Sequence, residues 1–176
     1  ASAISPPPYE HYGIKPDLLA FGKKLQVCGM MGGEPITDNE DNVFDTSSRI
    51  NSTFGGNLVD MVRGAVCLEV IEEEGLLANA TKVGGDLLKG LNELGERHEI
   101  ISNVRGKGLF AAFTLPDKAT RDTFRMQALE DGLLALNSGF DSIRLRPCLN
   151  LSADEADEAL AIFEQTTKLI ESLQVA

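Results

Sequence analysis

The chain has 176 residues, 43% of them hydrophobic, and carries a formal net charge of −11 at pH 7. Because a surface that follows a phosphate backbone needs clustered Lys and Arg, this acidic composition argues against nucleic acid as a partner. No apolar run reaches the roughly 18 residues needed to cross a bilayer, and the N-terminus lacks a signal-peptide pattern, so we expect a cytoplasmic protein without a membrane partner. Its 3 Cys and 2 His lie far apart in the sequence, which predicts neither a disulfide framework nor a metal site.

The first part of the chain predicts an arm, two short strands, a loop and a helix. Residues 1–8 include three consecutive prolines and should form a disordered arm. Apolar runs at 18–21 and 25–28 predict two short buried strands on either side of a Gly-Lys-Lys turn. Residues 32–49 are rich in Gly, Asp, Asn and Ser and predict a loop. Apolar residues repeat at three- and four-residue spacing over 57–74, which predicts a helix that contributes to the core.

The second part of the chain predicts an α/β sandwich, in which a few strands are covered by helices. A helical pattern spans residues 76–94, although its glycines lower the intrinsic helix propensity, so tertiary packing must stabilise it. Another helix is predicted over 118–130, and the sequence Ser152-Ala-Asp-Glu155 is a capping box that begins a final amphipathic helix. The predicted strands between these helices are residues 100–101, 104–105, 109–115, 133–136 and 143–145.

Three groups of residues could carry chemistry. Lys23 follows Phe-Gly at the end of a predicted strand, where partial desolvation would favour a neutral, nucleophilic amine, although most Lys-Lys pairs are solvated turn residues. Ser52 and Thr53 precede a predicted helix and could bind a phosphate, although such residues also serve as ordinary helix caps. Arg144 and Arg146 alternate with apolar residues along a predicted strand. Both could bind carboxylates from one face, or form a solvated face or a structural ion pair.

Four sequence segments occur together in an order and spacing that resemble one enzyme family. They are KPDLLAFGKK at 15–24, NSTFGGN at 51–57, RGKGL at 105–109 and IRLRP at 143–147. From about Tyr9 onward, the chain resembles the class III aminotransferases, fold-type I enzymes that depend on pyridoxal 5'-phosphate. The regions around the first two segments look most like those of enzymes that move the terminal amino group of L-lysine to 2-oxoglutarate. That reaction gives glutamate and a semialdehyde that cyclises.

The resemblance implies a role for each candidate residue. Lys23 would form the Schiff base with pyridoxal phosphate and afterwards carry a proton between cofactor and substrate. Ser52 and Thr53 would reach the cofactor phosphate of the other subunit, which implies a homodimer. Arg144 would pair with a carboxylate of the amino acid or 2-oxo acid substrate, and Arg146 would support it or face solvent.

The resemblance also implies an α/β fold with two domains. Residues 9–75 would be the remnant of the cofactor-binding large domain with an interdomain helix, and residues 76–176 the C-terminal small α/β domain. Family members carry a phosphate loop, an aromatic ring over the cofactor and an Asp for its pyridine nitrogen upstream of this lysine, and the sequence shows none of them. We therefore expect a truncated chain that is inactive alone and whose exposed strands favour self-association.

Two other interpretations stay open at this point. Residues that select the amino donor lie mostly upstream in the family, so a 4-aminobutyrate or ornithine aminotransferase of the same class is an alternative. A non-catalytic remnant, which associates with another chain as an interaction domain, is the other.

Overall fold

The computed structural model describes residues 9–22, 27–50, 52–53 and 55–175. They form two compact units, with the boundary between Gly75 and Leu76. Among the helices described, none is both long and apolar enough to cross a membrane. In the same part of the chain, no group of three or more His, Cys, Asp and Glu residues is placed to hold a metal ion.

The first unit contains a short strand pair and one long helix. Strand β1 (Leu18–Phe21) pairs antiparallel with β2 (Gly29–Gly32). A 3₁₀ turn at Glu10–Tyr12 precedes the pair, and a single helical turn, α1 (Glu34–Thr37), follows it. The remainder up to residue 50 is mainly turns and bends, as the loop prediction expected. Helix α2 (Leu58–Glu73) matches the predicted helix to within one residue at each end.

Two predictions for this unit are wrong. The second strand was expected at 25–28, but residues 25 and 26 lie outside the described part, Val27 and Cys28 are not in a strand, and β2 begins at Gly29. Burial of the two strands and of α2, as the apolar pattern predicts it, is the second. Both strands are partly exposed, as the resemblance leads us to expect for a truncated chain, and Gly64 is the one buried residue of α2. Periodicity identifies the side chains suited to burial, but burial itself requires a packing partner.

The second unit contains a four-stranded antiparallel sheet and three helices. Its elements are α3 (Leu76–Arg97), β3 (Ser102–Lys107), β4 (Phe110–Thr114), α4 (Lys118–Glu130), β5 (Leu136–Ser138), β6 (Ser142–Leu145) and α5 (Ala153–Val175). The strand order is β3-β4-β6-β5. Helix α3 packs against β3 and β4, α4 packs against β5 and β6, and α5 packs against both α3 and α4. This arrangement is the predicted α/β sandwich.

A cluster of three Phe rings lies at the centre of this unit. Phe113 of β4 meets Phe124 of α4 and Phe163 of α5 edge-on, with ring centroids 5.5 Å and 5.4 Å apart. Side chains alternate along each strand, so Phe113 and Ile143 lie on the face covered by helices and are fully buried. The residues that alternate with them lie on the opposite side of the sheet, which we call the open face. On β4 and β6 these include Ala112, Thr114, Ser142 and Arg144.

Several element boundaries differ from the predictions for physical reasons. The predicted segments 100–101 and 104–105 are replaced by one strand, β3, and the predicted strand at 133–136 shares only Leu136 with β5. Leu133 instead completes the end of α4, because its N–H donates to the Ala128 carbonyl at 2.7 Å after Gly132 turns with φ +98°. The apolar run at 133–136 predicts a strand, but its first residue closes the end of the preceding helix.

Candidate functional site

The open face brings three side chains into one row across the sheet. By register, Arg105 of β3 lies opposite Ala112 of β4, and Ala112 lies opposite Arg144 of β6. Residues that are directly opposite in an antiparallel pair share a face, so both arginines project from the same side. The next row on this face contains Thr114 and Ser142, which also pair.

Arg144 is half-buried and has an unusual guanidinium. Its Nε atom is buried and has no hydrogen-bond partner among the described residues. The neighbouring Ile143 is fully buried in the core, so the strand alternation expected for these two residues is observed. An unpartnered buried donor costs free energy. Because the residue as a whole is only half-buried, the accessible part of the guanidinium could still bind a carboxylate.

Arg146 is exposed and follows the end of β6, which stops at Leu145. The segment after it is fixed by Asn79 of α3, whose amide nitrogen donates to the carbonyls of Leu149 at 2.8 Å and Leu151 at 3.0 Å. The position of the chain after Arg146 is thus set by the helix that covers the sheet.

The open face carries positive charge in an otherwise acidic chain, since both Arg105 and Arg144 lie on it. The ion pairs of the second unit lie on its helices, at Lys89, Arg97, Arg121 and Lys168. Across the described residues, no ion pair includes the arginines of the open face. These guanidiniums are therefore not neutralised by direct contact with a carboxylate of the described chain, and an anion would be attracted to them.

A hydrogen-bonded cluster around Arg105 was not predicted from the sequence. Its Nη1 donates to the Asn103 carbonyl at 2.7 Å and to Thr114 Oγ1 at 3.2 Å, and its Nη2 donates to Ser142 Oγ at 3.2 Å. The two hydroxyl oxygens are themselves 3.0 Å apart. Only the resemblance drew attention to Arg105, and a register for β3 and β4 would have been needed to place it beside Arg144.

Ser52 and Thr53, the residues expected to bind a phosphate, lie on an exposed turn of the first unit. The turn is closed by the Gly55 N–H, which donates to the Ser52 carbonyl at 3.0 Å. Asn57 caps α2 through its side-chain oxygen, which accepts from the N–H groups of Val59 at 3.0 Å and Asp60 at 3.3 Å. The capping role is thus taken by Asn57, and the two hydroxyls have no side-chain hydrogen bond within the described part of the chain.

The remaining candidate, Lys23, lies outside the described residues, as does its neighbour Lys24. Ser52 and Thr53 belong to the first unit, and Arg144 and Arg146 belong to the second. The assignment of roles to these residues stays a prediction.

Comparison with known proteins identifies the family. Residues 8–167 match the family described as Aminotransferase class-III. The chain belongs to this family. It is 44% identical over 168 residues to an L-lysine-epsilon aminotransferase of Streptomyces clavuligerus, a match that covers 94% of this chain and 37% of that enzyme. An acetylornithine aminotransferase of Gloeobacter violaceus is 36% identical over 161 residues, 89% of this chain and 38% of the relative.

The structure also resembles those of solved family members. A lysine aminotransferase from M. tuberculosis in the internal aldimine form superposes with a TM-score of 0.87 and 42% identity, covering 92% of this chain and 38% of that protein. The predicted fold class is therefore confirmed: this is a mixed α/β chain with the structure of part of a class III aminotransferase. The chain spans somewhat more than a third of the length of the relatives it matches.

Proposed function

We propose that this chain is part of an aminotransferase that depends on pyridoxal phosphate and transfers the terminal amino group of L-lysine to 2-oxoglutarate. The products are glutamate and a semialdehyde. Similarity supports lysine as the donor, because identity is higher to the L-lysine-epsilon aminotransferase than to the acetylornithine enzyme over a comparable share of the chain. The proposed substrates both carry carboxylates, which gives the open face a ligand of suitable charge.

The observation that carries the proposal is the half-buried Arg144, whose guanidinium forms no ion pair with a carboxylate of the described residues. Both the amino acid and the 2-oxo acid have a carboxylate, so one guanidinium can hold either substrate in turn. A planar guanidinium donates two parallel hydrogen bonds to a carboxylate, which fixes the direction of the substrate as well as its charge. Arg144 stands on a strand of the folded sheet, so this donor is fixed before the substrate arrives.

The described residues also fit a phosphate. Ser52 and Thr53 offer two exposed hydroxyl donors whose side chains make no other hydrogen bond in the described part of the chain, while Asn57 occupies the helix cap. We propose that these hydroxyls hold the phosphate of pyridoxal phosphate in a second subunit of a homodimer. Their exposure supports a contact beyond this chain, because an inward-facing hydroxyl could reach only its own subunit.

A role for Lys23 is also part of the proposal. Pyridoxal phosphate, when bound, supplies the electron sink that stabilises negative charge on the substrate carbon. In this proposal Lys23 holds the cofactor through its amine and then moves a proton at that carbon. Its neighbour Lys24 has the same charge and nearly the same sequence position, so it provides a matched control.

An absorption spectrum tests the cofactor site directly. Pyridoxal phosphate is added to the purified chain and to its Lys23→Ala and Lys24→Ala variants, and each spectrum is taken before and after borohydride reduction. We expect an adduct that reduction makes permanent in the chain and in the Lys24→Ala variant but not in Lys23→Ala. Peptide mapping of the reduced protein should place the adduct at residue 23. Equal labelling of all three proteins would contradict the role of Lys23 and favour a chain without a cofactor site.

A further inference from the structure

The guanidinium of Arg105 is held by three hydrogen bonds to the protein. Three of its N–H groups are used on the protein itself, on the Asn103 carbonyl and on the hydroxyls of Thr114 and Ser142. The three partners lie on three strands of the sheet, β3, β4 and β6. Because a guanidinium has a rigid fork of five donors, this set of acceptors fixes both its position and its plane.

The backbone of β3 is distorted where it presents Arg105. The register shifts between Ser102 and Arg105, so that three residue steps on β3 run against two on β4. Asn103, within this bulge, has φ +47°, which is uncommon for a residue other than glycine. Bulges re-aim side chains and occur beside functional sites, and here the carbonyl of the distorted residue accepts the shortest of the Arg105 hydrogen bonds.

We propose that Arg105 is a positioning residue for Arg144, a role that rests on the proposed function of Arg144 in binding the substrate carboxylate. Arg105 crosses β4 and donates to Ser142, which precedes Arg144 by two residues on the same face of β6. Two residues along a strand correspond to about 7 Å. The contact therefore ties β6 to β3 one row away from Arg144, beside Thr114 of β4.

The positive charge of Arg105 should also favour binding of a carboxylate at Arg144. The carboxylate in its network is that of Asp141, which accepts from the Ser142 hydroxyl at 3.4 Å and so reaches Arg105 only through that hydroxyl. Two cations on one face repel each other, and a bound carboxylate relieves the repulsion. The fork of Arg105 places Arg144, and its charge favours the anion that Arg144 binds.

The test follows the Nε–H signal of Arg144 by NMR in the absence of ligand. A buried Nε–H exchanges slowly with water and gives a resolved signal, which the Arg144→Lys variant assigns by its loss. We expect Arg105→Lys, which keeps the charge but loses the fork, to shift or broaden this signal. Ser142→Ala removes one acceptor of Arg105 and should have the same effect, so it provides a second test if Arg105→Lys does not fold. Lys107→Gln removes a charge from the same strand and face and is the control, and it should leave the signal unchanged.

The second readout is affinity for glutarate, a dicarboxylate without an oxo or amino group. We expect Arg105→Lys to weaken binding about fivefold to tenfold, as the loss of one well-placed hydrogen-bonding group does. Lys107→Gln should weaken it less than twofold. The backbone spectrum of each variant must match that of the parent chain, which separates a change at Arg144 from loss of the fold.

The outcomes separate this proposal from the one it rests on. An unchanged Arg144 signal together with unchanged glutarate affinity in Arg105→Lys overturns the positioning role. An equal effect of Lys107→Gln also overturns it, since charge alone would then suffice. If glutarate binds the parent chain and Arg144→Lys equally, the carboxylate role of Arg144 fails. In that case the signal of Arg144 in the free protein still decides whether Arg105 holds it.

Discussion

Two adjacent glycines of α3 should respond in opposite directions to the same substitution. Gly84 is buried against the turn between β3 and β4, and a Cβ there would overlap the carbonyl group of Gly108 and lie 2.7 Å from its Cα. Gly85 is exposed, and a Cβ there would meet nothing within 4 Å. We expect Gly84→Ala to destabilise the protein and Gly85→Ala to stabilise it.

The magnitudes follow from two effects. In a helix interior Ala is favoured over Gly by about 0.8–1.0 kcal/mol, so both variants gain that amount. Only Gly84→Ala must also move α3 away from the turn, because contact between carbon atoms requires about 3.5 Å and the obstacle is backbone that cannot change rotamer. Overpacking of this kind costs about 1–3 kcal/mol or more. Because the propensity gain is common to both variants, they should differ in their free energy of unfolding by the overpacking cost, about 1–3 kcal/mol or more.

Urea unfolding followed by circular dichroism at 222 nm measures this difference. Gly85→Ala should raise the urea midpoint, and Gly84→Ala should lower it with an unchanged slope. Because both variants add the same methyl group to the same helix, effects on the unfolded chain cancel in the comparison. If Gly84→Ala proves as stable as Gly85→Ala, the close approach of α3 to the turn is wrong.

Three further predictions concern the second unit. Phe113→Ala should lower the free energy of unfolding by about 3–5 kcal/mol, whereas Phe110→Ala, on the open face of the same strand, should cost far less, and thermal melts of the two compare them. Asn79→Ala removes two hydrogen bonds to the segment after β6 and should cost about 1–3 kcal/mol, measured in urea, with Asn92→Ala as the exposed control. The pKa of Glu155 lies below its ordinary value because the N–H and O–H of the capping residue donate to it. The stability that Glu155 contributes should thus be fully present at pH values above its ordinary pKa and be lost as the pH falls through its lowered pKa in the folded protein. Glu155→Gln should therefore weaken the dependence of the melting temperature on pH in that acidic range. An unaltered acid profile in Glu155→Gln would contradict the capping box.

The sequence predicted the helices of the second unit well because their apolar positions face a shared core. The prediction for α4 matches Lys118–Glu130, and α5 begins at the predicted capping box, where Ser152 and Glu155 hydrogen-bond to each other. Helix α3 runs three residues past its predicted end, to Arg97. Its glycines, which lower propensity, are explained by packing, since a side chain at Gly84 or Gly90 would overlap the turn or α5.

Strand positions and burial were harder to predict, because both depend on partners that are distant in the sequence. Leu133 is apolar and extended in pattern, yet it ends a helix rather than joining the sheet. The apolar residues of α2 mark a helix correctly, but Leu58 is 76% exposed and Val62 64% exposed. A pattern states which residues can be buried, whereas the packing partner decides which are.

The candidate residues divide along the same line. Arg144 could be found from alternation alone, because Ile143 and Leu145 identify the core side of the strand. The position of Arg105 beside it could not be found from the sequence, since the bulge at Asn103 changes the register by one residue. The sequence Ser-Asn-Val-Arg contains no clear local signal for a bulge. Non-local register is therefore the missing information, more than side-chain chemistry.

An arginine that binds a substrate carboxylate must meet two opposing requirements. It must be held rigidly, which is usually achieved by pairing it with a carboxylate of the protein, and it must be free to pair with a ligand. In our proposal, these requirements are divided between two residues of the open face. Arg105 takes the protein's hydroxyls and carbonyl as its partners, whereas Arg144 keeps an unpartnered Nε in the described structure. The acceptors of Arg105 are neutral, so they hold its guanidinium in place without cancelling its charge, and the open face stays positive.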